Sequence, residues 1–181
     1  MRKKLNPTAD AVLRAATDCH KILSQKTLDY VVTGGLAVFL QSNGSNKPRD
    51  VDILVRDENA GAVVIGTLLI HSRKYKWDDF RRAVLHPNGV RIDVHWDGKG
   101  NRRLPYPNPD QIVEQRSLPV LGLYALIESK LESAEGGGSK HRQHALALKR
   151  VNQLERSAVE RFHAEYRQRY VALVDEALSG Q

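Results

Sequence analysis

An α+β (α/β) fold, a small mixed sheet flanked by helices and followed by a helical C-terminal region, is predicted by three features of the sequence. Two strand-like runs, residues 30–33 and 49–55, are separated by a glycine pair and a short helical stretch. Pro87-Asn88-Gly89 is a strong hairpin signal between residues 80–86 and 90–96. From about residue 121 onward, apolar residues recur at spacings of three, four and seven, as helices require.

The chain has 181 residues, 41% apolar and 27% charged, with a formal net charge of +7. That length supplies one compact domain, or a core with a small appendage, and ample material for a hydrophobic core. Intrinsic disorder, collagen-like and simple coiled-coil architectures do not fit this composition. No apolar run approaches the roughly 20 residues needed to cross a bilayer, so a soluble protein with no membrane partner is expected. Cys19 is the single cysteine, which excludes an internal disulfide, and no Cys/His pattern around it would close a zinc site. The basic start Met1-Arg2-Lys3-Lys4 is not followed by the apolar core of a signal peptide, and a cytoplasmic location is expected. Lys and Arg outnumber Asp and Glu by 28 to 21, which favours a polyanionic partner.

Along the chain, residues 8–25 read as an amphipathic helix capped by Thr8, with Val12, Ala16, Cys19 and Leu23 on one stripe. Cys19 on that stripe is read as a buried apolar residue rather than a reactive thiol. Strand 30–33 runs into Gly34-Gly35 and a helix over 36–41, and residues 42–48 have turn chemistry. After strand 49–55, residues 59–71 read as a helix, although Val63-Val64-Ile65 and Leu68-Leu69-Ile70 would also suit strands. Pro105, Pro107 and Pro109 precede helix 121–135, a flexible joint at Gly136-Gly137-Gly138 and a helical stretch 140–178 that accommodates a break. The expected division is a core with its N-terminal helix at 1–118 and a helical region at 119–181.

Asp50 and Asp52 alternate with Val51 and Ile53, so the two carboxylates share one strand face and the aliphatic residues the other. Like charges side by side repel, and a divalent cation between them would offset that cost. Arg91, Asp93 and His95 alternate in the same way with Ile92, Val94 and Trp96. If the strands are neighbours, Asp93 joins Asp50 and Asp52 around one or two metal ions. Either strand alone reads more simply as half-exposed, with its carboxylates in solvent; the glycine pair upstream turns the balance toward a site. Gly34-Gly35, between a strand and a helix start, lets backbone amides approach a ligand and suits phosphate. Neither a P-loop nor a dinucleotide fingerprint is present.

Val32-Thr33-Gly34-Gly35 followed by Asp50-Val51-Asp52-Ile53 resembles the signature of the polymerase-β-like nucleotidyltransferase superfamily, and Asp93 falls where that superfamily carries its third carboxylate. The resemblance covers roughly residues 28–96 and reaches more weakly to about Leu154. Gly34-Gly35-Leu36-Ala37, Arg49-Asp50-Val51-Asp52-Ile53-Leu54-Val55 and Leu126-Ile127-Glu128-Ser129-Lys130-Leu131 look most like small bacterial nucleotidyltransferases related to abortive-infection toxins of toxin–antitoxin pairs. A looser similarity is to aminoglycoside nucleotidyltransferases. Two departures stand out: Lys47-Pro48-Arg49 lacks the hydroxyl residue common before the first carboxylate, and His144 stands where relatives commonly carry an acid.

The resemblance implies a nucleotidyltransferase-like fold and an enzyme that moves a nucleoside monophosphate from a nucleoside triphosphate, ATP or another NTP, to a hydroxyl, releasing pyrophosphate. The acceptor would be an RNA (transfer RNA in the toxin-like version), a protein or a small molecule, and a cognate antitoxin would be a partner. Asp50, Asp52 and Asp93 would ligate Mg2+, one or two ions with Mn2+ as the alternative, and Asp93 would accept the proton of the attacking hydroxyl. Gly34 and Gly35 would hold the triphosphate, with Arg49 and Lys130 on phosphate. The bland alternatives are a surface lysine at 130, Arg49 and Arg91 paired with the carboxylates, and His95 as a hydrogen-bonded strand residue. The cluster Lys140, His141, Arg142, Lys149 and Arg150 suits an RNA backbone or the triphosphate, or is a solvated helix face; Tyr166 and Tyr170 are read as packing. A non-catalytic binding module, acting as nucleotide sensor or partner-neutralising protein, and a basic RNA-binding protein with incidental carboxylates are the competing classes.

Overall fold

The computed structural model describes residues 7–99, 105–135 and 138–179. The basic start at Met1-Arg2-Lys3-Lys4, and Gly136 and Gly137 of the expected joint, lie outside the described residues. Helix α1 (Ala9–Ser24) forms where the apolar stripe predicts it: the Thr8 hydroxyl accepts from the Ala11 amide at 3.2 Å, and Val12, Ala16, Cys19 and Leu23 are buried. Strand β1 (Val31–Thr33) passes directly into α2 (Gly34–Gln41), which begins two residues earlier than expected because Gly34 makes the turn at φ +66°. After β2 (Asp50–Leu54), the apolar run 59–71 resolves in favour of helix α3 (Glu58–His71), capped by Asp57, which accepts from the Ala60 amide at 2.8 Å.

Three strands escape the sequence pattern. They are β3 (Lys76–Asp78), β6 (Ile112–Gln115) and β7 (Leu118–Leu121). Each is three or four residues long, and β7 carries Pro119, so local propensity is weak and tertiary pairing creates the strand. The expected hairpin exists as β4 (Ala83–Leu85) and β5 (Arg91–His95), with Gly89 at φ +85° in its turn. Its first strand is shorter than residues 80–86: Phe80 is 94% exposed and sits in the connection from β3. Helix α4 (Leu123–Glu135) starts two residues later than expected because Leu118–Leu121 is taken by the sheet. The break in the last helical stretch falls between α5 (Ser139–Val151) and α6 (Ala164–Ser179), across a short 3-10 segment, Arg156–Arg161. No helix among the described residues is long and apolar enough to cross a membrane.

The seven strands form one mixed sheet in the order β3-β4-β5-β2-β1-β7-β6, with β2–β5 and β1–β7 parallel and the other pairs antiparallel. Helices α1 and α3 pack together and against the β2–β5–β4 region, enclosing Val51, Ile53, Ile92 and Val94 in the core. Helices α4, α5 and α6 pack on one another, and α4 and α5 adjoin α2. Gln41 Nε2 donates to the Leu121 carbonyl at 2.6 Å, and Asn152 Nδ2 donates to the Gln41 carbonyl at 3.0 Å. These bonds tie the end of α2 to β7 and to the end of α5.

A buried carboxylate secures the outer helices. Glu128, on α4, is 7% exposed and accepts from the His163 amide at 2.7 Å, while its second oxygen lies 2.8 Å from His163 Nδ1. Removing it leaves a donor unsatisfied at the entry to α6. Glu128→Ala is expected to cost about 1–3 kcal/mol, read as a lowered urea midpoint with an unchanged slope.

Candidate active site

The parallel register of β2 and β5 sets Asp50 opposite Arg91 and Asp52 opposite Asp93, while the antiparallel register of β1 sets Thr33 opposite Asp52. Opposed residues project to the same face of a sheet, so both acids of β2 and all three polar residues of β5 share one face. Asp52 is the most tightly held. A Cβ built on Gly34 would lie 1.7 Å from Asp52 Oδ2, so the carboxylate occupies the space that any other residue at 34 would fill. The Gly35 amide, free at the helix start, donates to Asp52, and Asp52 Oδ1 lies 3.0 Å from His95 Nε2. His95 is thus a hydrogen-bonded strand histidine.

Charge divides unevenly over this face. Burial, the largest influence on Asp52, would raise its pKa, but His95, Lys130 and the Gly35 amide outweigh it and hold the carboxyl below its ordinary value. Asp50 is raised by burial and by the charge of Asp52, with Arg91 and Lys140 acting in opposition. Asp93 is raised by burial and by Asp52 and Asp50, against the pull of Arg91. The Arg91 guanidinium bridges these two: Nη2 contacts Asp50 Oδ2, and Nε lies 2.7 Å from Asp93 Oδ2. Arg91 is therefore a partner of carboxylates.

Asp50 and Asp52 open onto a cleft of about 590 Å3 between the sheet and helices α4 and α5; Gly34, Gly35 and Arg49 line the same side. Asp93 shares the sheet face but does not line the cleft. Among the described residues, no three His, Cys, Asp or Glu side chains are assembled as a metal cage. The donor set at Asp50 and Asp52 nevertheless fits a divalent cation, since it offers hard oxygen ligands, and burial together with the charge of Asp52 disfavours an ionised Asp50 that a cation would favour.

The opposite wall is where sequence reading was least complete. Lys130 is only 5% exposed and lines the cleft, so it is not the surface lysine that its amphipathic helix suggests. Glu132, Lys140, His141 and His144 line it too. Their spacing on successive helical turns was a readable signal; the turning of that face toward the sheet was not. His144 is 8% exposed, its buried Nδ1 has no hydrogen-bond partner among the described residues, and burial, Lys130, Lys140 and His141 push its pKa down to about 4. The rest of the basic C-terminal region is largely committed within the fold: Arg142 to Glu176, Arg156 to Asp175, Arg167 to Glu160 and Arg169 to Glu132 and Glu135. Tyr170 is fully buried, stacks on Phe162 and donates to the Glu155 carbonyl at 2.8 Å, and Tyr166 is nearly buried, as packing residues.

A family model for aminoglycoside-2''-adenylyltransferase matches residues 16–99, somewhat less than half of the chain. No curated protein matches. A crystal structure of an antigenic nucleotidyltransferase-like protein from Paracoccidioides brasiliensis superposes with a TM-score of 0.55 at 16% identity, over 80% of this chain and 76% of that one. The solution structure of the antibiotic-resistance factor ANT(2'')-Ia gives 0.55 at 16%, over 89% and 94% of the two chains. The crystal structure of ANT(2'')-Ia in complex with adenylyl-2''-tobramycin gives 0.56 at 15%, over 87% and 99%. The fold is thus nucleotidyltransferase-like, and the sequence match with it supports a nucleotidyltransferase enzyme. The family that matches is the aminoglycoside one, the looser of the two similarities in the sequence.

Two outcomes test the geometry of the site. Gly34→Ala sets a methyl group against Asp52 at a positive φ, and a loss of about 1–3 kcal/mol in urea unfolding is expected. The unfolded chain protonates residue 144 near pH 6.5, whereas the folded protein resists until about pH 4. Its contribution to stability is therefore complete above pH 6.5 and lost as pH falls toward 4, on the order of 3 kcal/mol. His144→Gln should flatten that part of the stability curve.

Proposed function

We propose that the chain is a divalent-metal-dependent nucleotidyltransferase that moves a nucleoside monophosphate from a nucleoside triphosphate to a hydroxyl of an acceptor. The observation that carries this reading is the placement of Asp50 and Asp52 beside the Gly34-Gly35 turn, at the mouth of a cleft whose far wall bears Lys130 and Lys140. Carboxylates on one wall and ammonium groups on the other suit a triphosphate that carries its own cation. Asp50 and Asp52 would hold the metal, which, when bound, neutralises charge on the phosphate oxygens. Lys130, Lys140 and Arg49 would hold the phosphates, and the rigid setting of Asp52 between Gly34, Gly35 and His95 would keep the site aligned with little reorganisation. Because the Gly35 amide is occupied by Asp52, the glycine pair serves the carboxylate first and a phosphate second.

Magnesium is the expected ion, with manganese as the alternative, and ATP is the first nucleotide to test given the adenylyltransferase match. Among acceptors, an aminoglycoside is the small-molecule class suggested by the relative bound to adenylyl-2''-tobramycin. An RNA acceptor, and with it a toxin role with a cognate antitoxin, rests on the resemblance of the motif sequences. A binding module without catalysis is favoured by one observation: Arg91 pairs with both Asp50 and Asp93.

The test is transfer of label from each α-labelled triphosphate, with Mg2+, to tobramycin, to total RNA and to protein. Asp52→Asn should lower transfer by at least about 100-fold, and equal labelling by wild type and variant defeats the assignment. Metal binding has its own readout. Asp50, with its raised pKa, contributes less stability as pH rises through that value, so Mg2+ should raise the unfolding midpoint at pH 7 and progressively less in acid. Asp50→Asn should remove that response. Calorimetry that finds triphosphate binding together with unlabelled acceptors would turn the reading toward a nucleotide sensor.

A further inference from the structure

Resting on the transferase reading, we propose that Asn46 is a positioning residue for the triphosphate: its side-chain amide latches the loop after α2 onto the glycine turn and so holds Lys47 at the cleft as a phosphate contact. Residues 42–49 connect α2 to β2 and return to the first turn of that helix. Asn46 Nδ2 donates to the Gly35 carbonyl at 2.8 Å, across 11 positions of sequence. A Cβ built on Gly35 would lie 3.5 Å from Asn46 Nδ2 and 3.9 Å from the Cα of Pro48, which is how closely the loop lies on the turn. The rest of the loop is closed on itself and on α2. Ser45 Oγ donates to Ser42 Oγ at 2.7 Å, the Gly44 amide donates to the Phe39 carbonyl at 3.0 Å, and Ser42 and Pro48 are buried.

Gly35 thereby serves two partners. Its amide donates to Asp52 and its carbonyl accepts from Asn46, so the acidic strand and the loop are fixed to one residue. Asn46, Lys47 and Arg49 line the same cleft as Gly35 and Asp52. Lys47 and Arg49 are exposed, and neither makes an ion pair among the described residues. Lys130 of α4 and Lys140 of α5 line the cleft as well, so a phosphate chain bound there meets cations from the helices and from the loop. A lysine on an unlatched loop gains little from one phosphate, because ordering its long side chain and the backbone that carries it costs free energy comparable with the contact. The Asn46 latch orders the backbone before the ligand arrives, and the contact keeps more of its worth. The simpler reading is a solvated loop lysine beside an asparagine that only stabilises a turn. In that case phosphate affinity is indifferent to both residues.

The experiment is calorimetry with Mg2+ and either ATP or tripolyphosphate, which carries no base, for wild type, Asn46→Ala, Lys47→Ala and the double variant. Folding of each is checked by urea unfolding, and label transfer from ATP to tobramycin and to total RNA is measured alongside, with Asp52→Asn as background. Each single variant is expected to weaken both ligands by about five- to tenfold, and the double variant by no more than about twofold beyond Asn46→Ala, because Asn46 acts through Lys47. KM for ATP should rise accordingly while kcat changes by less than about threefold. Wild-type affinity in either single variant overturns the proposal, as do losses that multiply in the double variant or a loss confined to kcat. Lys47 is exposed, so Lys47→Ala decides the matter even where Asn46→Ala fails to fold. If wild type transfers no label above the Asp52→Asn background, the transferase reading falls and this assignment falls with it. Transfer that is lost in Asp52→Asn, with wild-type KM and affinity for ATP in Asn46→Ala, overturns the assignment alone.

Discussion

The site depends on one close approach: the carboxylate of Asp52 fills the volume where Gly34 has no side chain. That contact couples the turn from β1 into α2 to the middle of β2, and therefore couples the helix start to the acidic strand. From it follow the positive φ of Gly34, the amide of Gly35 directed at the carboxylate, and the alignment of β5 that brings His95 to the other oxygen. A Cβ at 34 would force the Asp52 side chain from its place. The glycine is thus a packing requirement of the acid as much as an opening for phosphate.

Charge around this contact is arranged in two layers. Within the sheet face, Arg91 spans Asp50 and Asp93, so two carboxylates are partly neutralised before any ligand arrives. Across the cleft, Lys130 and Lys140 lower the cost of ionising Asp52 and Asp50 while raising the cost of protonating His144. One pair of ammonium groups therefore biases three titratable side chains in a single direction, toward two carboxylates and a neutral imidazole. That protonation pattern suits the binding of a cation and of phosphate in the cleft. Some of the basic residues line the cleft, and Arg142, Arg156, Arg167 and Arg169 pair with carboxylates of the helical region.

The elements that carry their own local signals were legible in the sequence. The stripe and Thr8 cap of α1, the Asp57-capped α3 and the hairpin at Gly89 follow from periodicity and turn chemistry. Strands β3, β6 and β7 were not, because segments of three or four residues contain less than one clear alternation and exist through pairing with β4 and β1. The same limit moved the start of α4: Leu121 suits a helix or a strand, and only the ladder with β6 and its place beside β1 decides between them.

By itself the sequence determined which carboxylates share a face, since strand periodicity fixes the parity of Asp50 with Asp52 and of Asp93 with Arg91 and His95. It also determined that a glycine turn precedes them and that the P-loop and dinucleotide fingerprints are not matched. Tertiary structure alone decided which strands are neighbours, that Asp93 is tied to Arg91 beside the cleft rather than within it, and that Lys130 and His144 are buried against the site. The reason is that helical periodicity states that a face is apolar or charged without stating what it packs against. The placing of α2 against β7 and the end of α5 is set by contacts such as Gln41 with Leu121 and Asn152 with Gln41, between residues 80 and 111 positions apart in the chain.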